Sequence, residues 1–222
     1  MLRIFLFSIV GIPILLLDGI LLYDLPTEIG SFHSREEGWI LLGGSVAYLL
    51  AHAFLRRPER MYLWAHEFSH LIVAKLFFRK VHSFHITSRD GGKVVIDRTN
   101  VLIDLAPYAF PLYSLGAAAA ATILKNVSPW VPDLYLLMAS SLFTMHVLFS
   151  AEGFVKGQPD VKRSGRVFSA AVVLLCLLLW VPLLLAPGAP SGWKGAVSAY
   201  REWFFASHLT ARRLLRYGLS LF

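Results

Sequence analysis

Hydrophobic residues occur in long blocks along this chain rather than in the short alternating runs that are typical of a soluble domain. Five blocks are strongly apolar, at residues 4–23, 39–55, 100–124, 134–151 and 167–186. A sixth block, 61–78, is apolar apart from His66, Glu67, Ser69, His70 and Lys75. A helix needs about 20 apolar residues to cross the hydrocarbon core of a bilayer. The pattern therefore predicts an all-α membrane protein with about six transmembrane helices.

Two segments have a different pattern. Residues 81–88 alternate between polar and apolar, Asp90-Gly91-Gly92 is a turn sequence, and residues 93–97 contain several β-branched side chains. This predicts a short β-hairpin directly after the block that contains the histidines. From residue 195 onward, large apolar side chains are mixed with arginines, which predicts a C-terminal amphipathic helix that lies on the membrane surface.

Composition supports the membrane assignment and excludes two other classes. The 222 residues are 56% hydrophobic and 16% charged, whereas a soluble domain has about 45–50% apolar and about 25% charged residues. Intrinsic disorder requires low hydrophobicity and is excluded by the same numbers. The net charge of +7 comes without a basic run that is interleaved with aromatics. We therefore expect the lipid bilayer, and no nucleic acid, as a partner of the basic loops.

The sixth block contains the motif His66-Glu67-Phe68-Ser69-His70. Residues four apart share one face of a helix, so both imidazoles can reach one metal ion. Glu67 is adjacent and can accept a proton from metal-bound water, whose pKa zinc lowers to about 7. The alternative is that the histidines are hydrogen-bonded core residues in a polar seam. Because a charged group inside a span costs roughly 2.5–3.5 kcal/mol, the functional interpretation is favoured.

The motif and its surroundings resemble the site-2 protease family of intramembrane zinc metalloproteases. The resemblance rests on HEFSH in an apolar helix, a hairpin after it, two more spans and the later Gly157-Gln158-Pro159-Asp160. It implies that His66, His70 and Asp160 bind Zn²⁺ and that Glu67 is the general base. It also implies that the hairpin pairs with an extended substrate. The chain departs from the family pattern at Val161, where the family has glycine.

The third ligand has an alternative. Asp160 follows block 134–151, which is the fifth predicted span in chain order, by about nine residues. It reaches the metal only if the loop after this span returns toward the membrane. At 1.5 Å per helical residue, His70 lies about 12 Å from the Phe78 end of its helix, and His146 lies about 8 Å from the end of the fifth span. If both ends share one membrane face, His146 is an alternative ligand or supports the ligands. Asp104 is a weaker candidate.

Asn100 and Gln158 are candidate substrate-binding residues because their amides can hydrogen-bond a peptide. We divide the chain into an N-terminal transmembrane helix pair (1–56), a zinc metalloprotease core (57–165) and a last span with the amphipathic tail (166–222). The core comprises the HExxH helix, the hairpin, two spans and the Pro-Asp loop.

The predicted function is that of an intramembrane zinc metalloendopeptidase that hydrolyses transmembrane protein or peptide substrates. The predicted location is multi-pass in a membrane, specifically the bacterial inner membrane. Two alternatives remain at this point. One is a non-catalytic membrane scaffold that binds substrates without cutting them. The other is a membrane di-iron oxygenase, in which His82 and His85 would extend the histidine set.

Overall fold

The chain folds into nine α-helices and one β-hairpin within the part that the structure describes. A computed structural model describes residues 2–87 and 91–220. The elements are α1 (Leu2–Phe32), α2 (Arg35–Phe54), α3 (Glu59–Leu76), β1 (Val81–Thr87), β2 (Gly91–Ile96), α4 (Val101–Ala109), α5 (Leu112–Leu124), α6 (Val131–Lys156), α7 (Pro159–Ser164), α8 (Arg166–Leu185) and α9 (Gly192–Leu219). A 3-10 turn at Ala186–Gly188 follows α8. The predicted helical class and the hairpin are confirmed.

Three stretches are long and apolar enough to cross a membrane as single helices: Ile4–Thr27, Val131–Lys156 and Arg166–Gly188. Helices α2 and α3 qualify only as a pair that is bent by 114°, and α4 and α5 only as a pair that is bent by 65°. The described residues thus contain three to five candidate spans, and the prediction of six is too high. The predicted second and third spans form one bent pair. The motif helix α3 does not qualify alone because four of its 18 residues are charged.

Helices α2 and α6 pack side by side and run in the same direction. In the middle of the pair, the Ser141 hydroxyl donates to the carbonyl oxygen of Gly44 at 2.8 Å. Near the C-terminal ends, His52 Nε2 lies 3.2 Å from Glu152 Oε1. A Cβ atom at Gly44 would overlap the backbone of α6, so this glycine permits the close approach that small residues allow between helices.

The parallel packing overturns the depth argument for His146. The C-terminal end of α6 lies beside the start of α3, where Arg57 Nη1 is 2.9 Å from Glu152 Oε1. A role for His146 at the depth of His70 requires instead that α6 end on the same face as Phe78, at the opposite end of α3. Segments that follow α6 are consequently close to the first half of α3.

The hairpin packs onto α3 and α4 around a small apolar core. The strands pair antiparallel from Val81↔Ile96 to Thr87↔Gly91, with a bulge between Val81 and Ser83. Val73 and Ala74 of α3 contact Ile103 and Ala106 of α4, and Val81 and Ile96 of the two strands cover them. This core holds β2 beside the motif helix. Ser88 and Asp90, which belong to the predicted strand and turn, lie outside the described residues.

A short helix turns the chain back toward α3 after α6. The long helix ends at Gly157, whose φ of 67° lies in the left-handed region that favours glycine, and Pro159 begins α7. Val161 is fully buried and packs with Leu105 and Tyr108 of α4. The sequence predicts a Pro-Asp loop here, whereas the structure shows a helix that the Val161 side chain anchors.

The predicted C-terminal helix is present as α9, and it packs on α1. The indole of buried Trp203 donates to the carbonyl oxygen of Leu21 at 2.9 Å, and the Thr210 hydroxyl donates to Asp24 at 3.1 Å. The arginines of this helix are all exposed, namely Arg201, Arg212, Arg213 and Arg216. One face of α9 is therefore buried, and the other carries positive charge.

Candidate metal centre

The two histidines of the motif lie side by side on one buried face of α3. His66 is 6% exposed and His70 is 9% exposed. Their ring centroids are 5.1 Å apart, and the rings are nearly perpendicular at 79°. This is the arrangement that the i, i+4 spacing predicts for a helix.

Asp160, in the first turn of α7, joins the two histidines. Its Oδ2 atom lies 3.6 Å from Nε2 of His66 and 3.5 Å from Nε2 of His70. One ligand atom from each of the three side chains can be chosen so that all lie within 4.8 Å of one another. Two imidazoles and one carboxylate could therefore hold a metal ion. In the described part of the chain, this is the group of three such side chains that the structure brings together.

A backbone hydrogen bond fixes the orientation of the His70 ring. Its Nδ1 atom donates to the carbonyl oxygen of Ile103 in α4 at 2.8 Å. The proton is thereby held on Nδ1, and the lone pair of Nε2 faces Asp160. Metal-binding histidines commonly donate their second ring nitrogen to an oxygen in this way.

Tyr108 packs against the His66 ring, and His146 hydrogen-bonds the backbone of Tyr108. The Tyr108 ring packs edge-on against His66, with centroids 5.4 Å apart and an angle of 89°. His146 is buried, and its Nε2 donates to the carbonyl oxygen of Tyr108 at 2.8 Å. His146 is therefore outside the group of three, and it contacts the residue that packs on His66.

Glu67 is the acid beside the group, and it is 8% exposed. A cavity of about 430 Å³ is lined by the three potential ligands, Glu67, Gln158 and residues 92–96 of β2. The carboxylate of Glu67 and the three potential ligands thus share one cavity with the edge of the hairpin.

Gly92 of β2 lies directly against the Glu67 side chain. A Cβ atom built at Gly92 would overlap Glu67 Cγ and would lie 3.1 Å from Cδ and Oε1. Glycine within a strand often marks such a close approach. The strand therefore restricts the conformations that the Glu67 side chain can adopt.

A second ion pair holds α7 against α4 at the edge of the cavity. Arg163 Nη1 donates to Oδ1 of buried Asp104 at 2.8 Å, and it lies 3.8 Å from Oδ1 of Asp160. Asp104, the weaker sequence candidate, is thus engaged by arginine. This contact leaves Oδ2 of Asp160 directed at the histidines.

The environment of Asp160 favours its anionic form. Partial burial raises the pKa of this carboxyl, but the imidazoles of His66 and His70 outweigh burial, so that the pKa lies well below its usual range. A carboxylate that is charged at neutral pH is suited to bind a cation.

The two candidate amides occupy different positions. Asn100 is the N-cap of α4, and its Oδ1 accepts from the backbone N–H of Ile103 at 2.9 Å. This oxygen stabilises a helix end. Gln158 precedes α7 and lines the cavity, so it remains the amide that can reach a ligand there.

Comparisons with protein-family models, with curated proteins and with solved structures find no match to this chain. Its function must therefore be inferred from the chemistry of this site.

Sequence reasoning missed Gly92 and Arg163 as parts of the site. A signal for Arg163 was present, since it follows Asp160 by three residues and thus lies on the same face of a helix. No sequence signal identified Gly92, because its role depends on which helix the hairpin packs against.

Proposed function

We propose that this chain is an intramembrane zinc metallopeptidase that is similar to the site-2 proteases. The observation that carries the proposal is the convergence of His66, His70 and Asp160 beside Glu67 in one cavity. Two imidazoles and one carboxylate are a donor set that catalytic zinc uses, with a water in the fourth position.

Zinc bound by these three residues would supply a Lewis acid and a water of lowered pKa. Within the chain, Ile103 orients His70 through its carbonyl oxygen, and Arg163 holds the outer side of the Asp160 carboxylate. Glu67 is the base that accepts the proton of the attacking water and then donates it to the leaving amine.

The substrate we propose is an extended segment of a transmembrane protein or peptide. A helical peptide bond has to be unwound before it can be hydrolysed, and an open strand edge can hold it extended. Residues 92–96 of β2 line the cavity, which supports the proposal that this strand pairs with such a segment. Gln158 also lines the cavity, and we propose that its amide hydrogen-bonds the backbone of the substrate.

We place the protein in a membrane as a multi-pass protein, and specifically in the bacterial inner membrane. The three to five candidate spans support the membrane location. The di-iron alternative lacks a comparable observation, because the described residues contain one group of three potential ligands, whereas a di-iron site needs more.

The test combines metal analysis with a cleavage assay on the purified protein in lipid vesicles. We expect one zinc per chain, cleavage of a co-reconstituted transmembrane peptide, loss of cleavage on chelation, and recovery when zinc is added back. Zinc binding without cleavage of any peptide would support the scaffold instead. Two irons per chain would support the oxygenase.

Replacing Gly92 by alanine should impair hydrolysis without removing zinc. The added methyl group overlaps Glu67 and displaces its carboxylate, and a shift of about 1 Å in a catalytic group costs roughly 100-fold in rate. Turnover and zinc content are the two measurements. Gly43→Ala is the matched control, because a Cβ atom there meets nothing within 4 Å. Equal turnover of the two variants would contradict the role assigned to Gly92.

A further inference from the structure

A second cavity, of about 750 Å³, lies where the α2–α3 connection meets the end of α6. We call it the arginine cleft. Its lining residues are 56–63, Phe149, Glu152, Gly153, Lys156 and Gln158. It borders the metal-site cavity at Gln158, but none of the three potential metal ligands lines it.

The arginine cleft has an excess of positive charge. Four cations (Arg56, Arg57, Arg60 and Lys156) and two acids (Glu59 and Glu152) line it, which gives a formal charge of +2. Glu152 is already engaged by Arg57 at 2.9 Å, by Lys156 at 3.2 Å and by His52 at 3.2 Å.

Two of the arginines are available for an external anion. Among the described residues, Arg56 and Arg60 form no ion pair within 4.0 Å, and both are exposed. A guanidinium binds phosphate oxygens through two parallel hydrogen bonds, which makes arginine suited to phosphate recognition.

The surface beside the cleft is apolar. Phe54 and Leu55, which directly precede Arg56, are 81% and 68% exposed, and Met61 in the cleft lining is 45% exposed. The cleft also lies at an end of α6, which is a candidate span. Cationic groups beside exposed apolar side chains at the end of a span match a phospholipid, whose phosphate is attached to acyl chains. An acidic peptide would leave Phe54 and Leu55 uncovered.

We propose that the arginine cleft binds the phosphate group of an anionic phospholipid. Arg56 and Arg60 contact the phosphate oxygens, and the acyl chains lie along Phe54 and Leu55. A basic pocket at the end of membrane helices is a recognised way to bind anionic headgroups. This site is independent of the proposed peptidase activity.

Native mass spectrometry of the purified chain tests the site, with phosphatidylglycerol or phosphatidylcholine added as the probe. The wild type should retain phosphatidylglycerol in preference. Each basic residue near an anionic headgroup contributes about fivefold in affinity, so the double variant Arg56→Gln, Arg60→Gln should lose roughly 25-fold. The control, Lys80→Gln with Arg98→Gln at the two ends of the hairpin, removes the same charge from exposed positions outside the cleft and should lose clearly less affinity.

Equal retention of the two lipids, or equal losses in the two double variants, would overturn the proposal. Displacement of the lipid by inorganic phosphate at equal concentration would show a site for free phosphate, and preferential binding of an acidic peptide would show a peptide site. Should the double glutamine variant not fold, the single variants Arg56→Gln and Arg60→Gln decide. Each should lose about fivefold in affinity for phosphatidylglycerol, and unchanged affinity in both would contradict the assignment. Zinc content should be the same in all these variants, whether or not the chain hydrolyses peptides.

Discussion

Replacing Glu67 by glutamine is expected to reduce peptide hydrolysis by about 10²- to 10⁴-fold while zinc remains bound. A positioned general base contributes about this factor to a rate. The amide has the same shape as the carboxylate, but it cannot accept a proton. The structure places this side chain in the cavity with the potential ligands and under Gly92, so the substituted side chain should occupy the same space.

The assay measures single-turnover cleavage of a transmembrane peptide in vesicles together with zinc content. Glu36→Gln is the matched control, because Glu36 is exposed in the first turn of α2 and should leave turnover unchanged. Full activity in Glu67→Gln would exclude the proposed proton transfer. Loss of zinc in the same variant would instead assign Glu67 to metal binding.

Asp160→Asn should weaken zinc binding by more than the roughly 10- to 100-fold that follows loss of a group behind a metal ligand. The change removes the negative charge that faces Nε2 of both histidines at 3.5–3.6 Å. An amide oxygen is a poorer ligand for zinc than a carboxylate is. Titration with a zinc-selective fluorescent chelator measures the affinity, and it does so without any peptide substrate.

Two controls separate the ligand from its surroundings. Asp133→Asn removes an exposed carboxylate in the first turn of α6 and should leave zinc affinity unchanged. His146→Gln should lower zinc affinity far less than Asp160→Asn does, because Nε2 of His146 is engaged by the carbonyl oxygen of Tyr108. The reverse order of effects would make His146 the third ligand.

The helical class and the hairpin could be predicted because both depend on local sequence. A run of apolar residues has to form helix in a bilayer, since no water is present to hydrogen-bond its backbone. The number of spans could not be counted in the same way. Hydropathy treats α2 and α3 as two separate blocks, whereas in the structure they qualify as a span only together, as a pair that is bent by 114°.

The residue that faces the two histidines was harder to predict from the sequence. The apolar run of α6 ends before Asp160, and the depth calculation favours His146 on the assumption that α6 and α3 end at the same face. The parallel packing of α2 and α6, which Gly44 permits, reverses that assumption. Resemblance to the family motif pointed to Asp160, although Val161 replaces the glycine of that motif.

The sequence by itself determined the pair of histidines and their neighbour Glu67, because residues one helical turn apart share a face in any α-helix. Only the tertiary structure decided what faces them. Asp160 follows His70 by 90 positions in the chain, and it reaches the histidines because α7 folds back and Val161 is buried between helices. Contacts of this kind depend on how helices pack against each other, and the spacing of residues along one segment does not contain that information.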